Sequence, residues 1–242
     1  MIGLLKVFNV GEKIRIGSEN DGGYVVPTIA IEDSKSLFSY GIADDITFDE
    51  HYIEIKNLES NVYGFDHTID SVPTKYVNNF ILHKEGISAH KTPCTDNFLQ
   101  HYQNLGLTDK CFLKIDVEGD EYDFFEQTNI SEIDKRATGM VIEFHSIKED
   151  NFRNRFWNII ERLNEHFLIC HIHGNNHDDI YHYQDERISC ILPSVLEITF
   201  ISKQIVQDFK PDESIYPSEL DNRNKKDKED FDLSYLSRLH SI

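Results

Sequence analysis

The sequence predicts an α/β fold built on a parallel-rich sheet, and three observations carry that expectation. Short runs of β-type apolar residues recur seven times between residues 37 and 201. Helix-length segments separate most of them, the alternation expected when crossover helices join parallel strands. Several runs stop in glycine or a carboxylate, and the carboxyl ends of strands are where open α/β sheets bind ligands. At 242 residues and 39% apolar content, the chain suits one large domain with appendages.

Residues 1–36 read as an N-terminal hairpin or cap region. Within it, residues 15–26 form a hairpin signal with Asp21-Gly22-Gly23 as the turn. The sheet-bearing domain spans 37–207. Its strands are expected at 37–40, 61–65, 80–83, 111–117, 139–144, 167–172 and 196–201, and its helices at 48–58, 95–105, 122–127 and 151–166. The seventh run follows a loop rather than a helix, which predicts an antiparallel strand in a mixed sheet. Residues 208–242 form a charged extension. Much of 208–232 is mixed-charge and poor in aliphatics, which reads as a partly disordered surface tail, while 231–239 suits a short helix packing back.

The formal charge is −19. A polyanion-binding surface needs a clustered basic face, so nucleic acid and anionic lipid are excluded as expected partners. No run of 18 apolar residues suggests a membrane span, and the N-terminus lacks a signal-peptide layout. Cys94, Cys111, Cys170 and Cys190 show no CxxC spacing, and Cys111 and Cys170 lie in apolar runs. They read as reduced core residues, which fits a cytoplasmic location.

The chemistry concentrates at strand ends. The run from Cys111 stops in Asp116-Val117-Glu118-Gly119-Asp120-Glu121, and a helix with acidic residues at its positive end follows. Gly41 ends strand one, and Asp66 ends strand two 25 residues later. Glycine admits close backbone approach to a ligand, and an acid at that second position can accept from both hydroxyls of a ribose. The Gly41 loop lacks a full G-x-G-x-x-G, so a single nucleoside such as S-adenosylmethionine fits better than a dinucleotide. Glu143 and His145 share one face of strand five, and His171 and His173 share one face of strand six. With Asp116 they make a carboxylate and imidazole set suited to a first-row divalent ion, Fe(II) or Mn(II) before Mg(II). The alternative is a hydrogen-bonded polar layer around a substrate.

The string Leu113-Lys114-Ile115-Asp116-Val117-Glu118-Gly119-Asp120-Glu121 resembles the K-I-D-V-E-G-x-E signature of FkbM-type methyltransferases. Asn20-Asp21-Gly22-Gly23-Tyr24, Ser39-Tyr40-Gly41-Ile42, Gly64-Phe65-Asp66-His67-Thr68, Ile142-Glu143-Phe144-His145 and Tyr216-Pro217-Ser218-Glu219-Leu220-Asp221 agree with it in order. The resemblance implies a Rossmann-like class I methyltransferase fold, with a mostly parallel seven-stranded sheet and helices on both faces. It also implies S-adenosylmethionine as donor and O-methylation. The D-G-G-Y opening and the H-x-H of strand six resemble a branch found in bacterial capsule gene clusters, where the acceptor is a sugar, commonly nucleotide-linked.

On this reading Tyr40, Gly41, Asp44, Asp66, His67, Ile87 and Ser88 contact the donor, with residues 86–88 near the adenine edge. Asp116, Glu143 and His173 hold the metal. His145 is a further ligand or the general base, and Asp116 shares the catalytic role. Asp21, Tyr24, Glu118 and His171 face the acceptor. A homo-oligomer is left open. Two other classes remain: a non-haem Fe(II) oxygenase built on Asp116, His145 and His173, and a non-catalytic sugar-nucleotide binder.

Overall fold

Seven strands form the central sheet: β1 (Ser36–Tyr40), β2 (Asn61–Phe65), β3 (Phe80–His83), β4 (Cys111–Ile115), β5 (Ala137–Phe144), β6 (Phe167–Gly174) and β7 (Leu196–Ser202). The structure, a computed structural model, describes residues 1–241. The strand order is β6-β7-β5-β4-β1-β2-β3. Strands β1 to β5 pair in parallel, whereas β7 runs antiparallel between β5 and β6. The expected mixed sheet is therefore present, with the seventh strand inserted rather than placed at an edge.

Strands β1, β4 and β5 are buried along their whole length. Their side chains serve two cores in alternation: Phe38, Leu113, Met140 and Ile142 enter one, and Leu37, Phe112 and Val141 enter the other. A strand buried on both faces needs apolar side chains on both, which is why these runs read as nearly continuous, with Ser39, Lys114, Thr138 and Glu143 among the polar exceptions. Helices α1 (Thr28–Asp33) and α2 (Thr47–Ile55) cover one face. Helices α3 (Phe98–Asn104), α4 (Asp120–Gln127), α5 (Ile130–Asp134) and α6 (Asp150–His166) cover the other.

Local chemistry sets the element boundaries. Helix α3 starts later than the sequence suggests because the Asn97 side chain caps it, accepting from Gln100 N. Residues Thr95–Asp96 instead pair with Gly86–Ile87. Helix α4 begins directly after Gly119, at φ +112°, with Asp120, Glu121 and Asp123 in its first turn. The N-terminal hairpin pairs Lys13–Ile16 with Tyr24–Pro27. A second hairpin, Ile180–Gln184 with Ser189–Pro193, precedes β7.

The expected packing of 231–239 is present as a short 3-10 helix, Ser234–Ser241, whereas 208–232 is largely exposed but pinned at several points rather than a free tail. Lys210–Pro211 pairs with Phe8–Asn9. Asp212 is buried and ion-paired to Lys13 at 3.0 Å. Burial raises the Asp212 carboxyl, but bonds from Ser214 and Lys13 outweigh it and hold it at about 2. Tyr216, Leu233, Leu236 and Leu239 join the main core. Charged residues poor in aliphatics here pack through paired carboxylates, which composition does not reveal.

Candidate functional site

The strand order reverses between β1 and β4, so their carboxyl ends diverge and leave a cleft, the usual ligand position in an open α/β sheet. The cleft holds about 650 Å³ and is lined by the loop after β1, the ends of β2 and β4, Gly86 and Ile87, and the hairpin tip at Asp21 and Gly22. Gly41 makes this geometry possible. Its φ is +75°, and a Cβ there would stand 1.5 Å from the Asp116 carbonyl oxygen. The Gly41 carbonyl accepts from Lys114 Nζ at 2.9 Å, which ties the β1 loop to β4.

Asp66 organises the same loop. One carboxylate oxygen accepts from Ile42 N (3.0 Å) and Ala43 N (2.9 Å), and the other from the Thr68 N–H (2.7 Å) and hydroxyl (2.5 Å). Burial raises its pKa, but these donors outweigh it and bring the carboxyl below its ordinary value. All four acceptor positions of the carboxylate are engaged within the protein. Of the other residues expected around a donor, Gly41, Asp44, His67 and Ile87 line the cleft. Tyr40 is buried and turns away, its hydroxyl 3.1 Å from His101 Nδ1. Ser88 lies outside the cleft lining, and its N–H donates to Asp96 O.

At the ends of β4 and β5, Asp116, Glu118 and His145 bring one oxygen or nitrogen each within 4.8 Å of one another. His145 Nε2 faces Glu118 (3.6 Å), Asp116 (3.7 Å) and Glu143 (3.9 Å). The other side of the ring is held by fully buried Glu121, whose Oε1 accepts from His145 N (2.8 Å) and lies 3.3 Å from Nδ1. Burial lowers the imidazole pKa, but the carboxylates outweigh it and raise it to about 10. Nε2 is thus the ring nitrogen turned toward the acids, the position from which His145 would act as the expected ligand or general base. Buried Tyr24 bridges the two strand ends, donating to Asp116 Oδ2 (3.1 Å) or Glu143 Oε2 (3.0 Å). Burial, then Asp116 and Glu143, push its phenol well above the ordinary value, so it remains a donor.

The β6 histidines do not join this group. His171 Nε2 is 2.7 Å from Asp221 Oδ1. His173 places Nδ1 3.0 Å from Glu197 and Nε2 3.2 Å from Asp230. The structure thus does not gather Asp116, Glu143 and His173 as expected; the groups it brings together are Asp116, Glu118 and His145, with Glu143 alongside. The cause is the antiparallel insertion of β7 between β5 and β6, which moves His173 away and supplies it with Glu197. His171 likewise binds the extension rather than the cleft. Two functional residues escaped the sequence reading. Glu121 was visible as the last residue of the K-I-D-V-E-G-x-E string. Glu197 was visible as a lone charge in an apolar strand.

Residues 12–184 match the methyltransferase FkbM domain. No curated protein matches the chain. Among solved structures, the chain is similar to a precorrin-6y C5,15-methyltransferase from Geobacter metallireducens GS-15, at 11% identity and TM-score 0.31, covering 71% of this chain and 82% of that one. It is also similar to a candidate rRNA-methylase from Clostridium thermocellum, at 8% identity and TM-score 0.33, covering 70% and 88%. The sequence match spans well over half of the protein and includes the Gly41 loop, Asp66, the Asp116–Glu121 string and His145; on that ground the chain belongs to the FkbM methyltransferase family.

Proposed function

We propose that this S-adenosylmethionine-dependent methyltransferase methylates a sugar hydroxyl in the building of a bacterial capsule or surface polysaccharide. The observation that carries this reading is the meeting of Asp116, Glu118 and His145, of which Asp116 and Glu118 line the same cleft as Asp66 and His67. The cleft volume suits a nucleoside-sized donor beside an acceptor ring. The Gly41 loop and the residues around Asp66 and His67 would hold the donor, with Asp66 acting mainly by fixing the loop backbone.

Asp116, Glu118 and His145 are a donor set of two carboxylates and one imidazole, which fits Mn(II) or Fe(II) better than Mg(II). When bound, such an ion supplies a Lewis acid that lowers the pKa of a nearby hydroxyl. The chain's own residues do the rest. Glu121 aims His145 Nε2, and Tyr24 holds Asp116 through Oδ2. A carboxylate oxygen of this group that the ion leaves free would take the hydroxyl proton as the oxygen attacks the methyl carbon and the carbon–sulfur bond breaks, giving a methyl ether and S-adenosylhomocysteine. Holding oxygen, carbon and sulfur in line contributes much of the acceleration.

The nucleotide-linked form of the acceptor meets an electrostatic objection. Seven carboxylates line the cleft against one lysine, Lys114. A diphosphate would enter only with a cation. The oxygenase reading loses its third ligand, since both nitrogens of His173 are engaged.

The test is methyl transfer from labelled donor to free and nucleotide-linked sugars, read by mass spectrometry, with wild type and Asp116→Asn. The expected result is an O-methyl sugar, with Asp116→Asn slowing turnover roughly 10²–10³-fold while donor affinity is kept. Sugar binding without turnover would replace the enzyme by a binding module.

A further inference from the structure

We propose that Lys114 and Asp66 clamp a single peptide group, the one between Gly41 and Ile42, and that Lys114 is thereby a positioning residue for the methyl donor. The carbonyl of this peptide accepts from Lys114 Nζ at 2.9 Å, and its N–H donates to Asp66 Oδ2 at 3.0 Å. An ammonium at the oxygen end and a carboxylate at the hydrogen end both favour the same orientation of the peptide dipole. Each bond polarises the peptide and strengthens the other.

The loop needs such a hold. Gly41 and Ala43 have φ of +75° and +47°. Glycine adopts the first freely, but Ala43 carries a Cβ into the left-handed region, a conformation that persists only where the surroundings over-determine it. Here Gly41 N donates to Phe65 O (3.1 Å), Ala43 N to Asp66 Oδ2 (2.9 Å), and Asp45 N to Ile42 O (3.2 Å). Of all the groups holding residues 41–43, only Lys114 and Asp66 act through charges.

Lys114 is the polar interruption of an otherwise apolar strand, and its side chain is 5% exposed. A buried ammonium is costly unless it is paired and bonded. Gly41 O supplies the bond, and Asp116 Oδ2, at 3.9 Å, the counter-charge. The clamp therefore joins the loop after β1 to Asp116 at the end of β4. A loop fixed in advance leaves less ordering to oppose donor binding. The donor reading enters only there; the clamp itself belongs to the ligand-free loop.

NMR of isotope-labelled, ligand-free protein tests the clamp. Lys114→Met keeps a linear side chain and loses the charge. The Ile42 amide proton should then shift upfield and exchange with solvent about tenfold faster or more, because its own peptide has lost the ammonium. Ala43 donates to the same carboxylate oxygen from the next peptide, so its amide should respond less. Calorimetry with S-adenosylhomocysteine compares wild type, Lys114→Met, Asp66→Asn and the double variant. Each single change should weaken binding about tenfold or more, and the two together by less than the product of the single losses. An unchanged Ile42 amide in Lys114→Met overturns the clamp, as does an equal response at Ala43. Losses that multiply overturn the coupling of Lys114 to Asp66. An Ile42 response in a protein that binds no S-adenosylhomocysteine supports the clamp and overturns the donor reading instead. Should Lys114→Met fail to fold, Lys114→Gln, a shorter neutral donor, gives the same comparison.

Discussion

The ends of β4 and β5 carry Asp116, Glu118 and His145; the ends of β6 and β7 carry His173 and Glu197. Both places put an imidazole among carboxylates, and both raise its pKa against the effect of burial. They differ in what remains free. His145 has one nitrogen held by Glu121, and the other faces acids at 3.6–3.9 Å beside the cleft, too far for hydrogen bonds and spaced for an inserted ion. His173 has both nitrogens within 3.2 Å of carboxylates, and its side chain is 3% exposed. The first keeps one imidazole nitrogen without a close partner, and the second is a closed joint between the sheet and the extension. The difference teaches that ligand capacity depends on the second nitrogen.

His173→Ala should have the largest effect on the joint. It removes a buried cation from between Glu197 and Asp230, and breaking such a pair costs roughly 3–5 kcal/mol. The raised His173 pKa means that its stabilisation is complete below the ordinary value, near 6.5, and is lost progressively as pH rises from there to the folded-state value. The deficit should therefore be larger at pH 6 than at pH 7. Chemical denaturation of both proteins at the two values measures it, and equal stability would break the comparison.

A smaller effect is expected from Glu121→Gln. Glu121 acts through His145, so the variant should bind Mn(II) about 10–100-fold more weakly while keeping its affinity for S-adenosylhomocysteine. Calorimetry with both ligands separates this from a general loss of structure. Unchanged Mn(II) affinity would mean that the second nitrogen of His145 needs no aiming.

The smallest effect sharpens the same contrast between paired and unpaired groups. Asp221, bonded to His171, is held well below the ordinary carboxylate range despite burial. Asp49, fully buried on α2, is driven up to about 6 by burial against the pull of Lys114 and Ser39. A carboxyl raised on folding stabilises below its unfolded value, near 3.9, and loses that contribution as pH rises to about 6. At pH 7 Asp49 is a net cost. Asp49→Asn should raise stability there by about 1–2 kcal/mol, less than the full shift because Lys114 loses a counter-charge. It should also flatten the stability profile between about pH 4 and 6. A destabilised variant at pH 7 would show that Asp49 is needed as the partner of Lys114.

Much of the fold was legible because its signals are local. Seven apolar runs, the glycine turn at residues 21–23 and the amphipathic helix α6 each follow from residues close in the chain. The absence of a helix before 196 foretold the antiparallel β7. The cleft was legible in outline, since Gly41 and Asp116 end strands that a parallel sheet must bring to one edge. The Asp116–Glu121 string even held the residue that orients His145.

Only the tertiary structure decided which acids meet which histidines. His171 to Asp221 spans 50 residues and His173 to Asp230 spans 57, distances over which no periodicity carries information. The charged extension reads as solvated because composition measures aliphatic content. Its order comes instead from ion pairs and buried aromatic and leucine side chains whose partners lie far away in sequence. Insertion of β7 between β5 and β6 likewise leaves no local mark, yet it separates His173 from Asp116. Sequence by itself determined the edge at which chemistry gathers, because strand direction and loop glycines are local. Long-range pairing determined the ligand set, because a side chain's remaining bonding capacity depends on everything that folds against it.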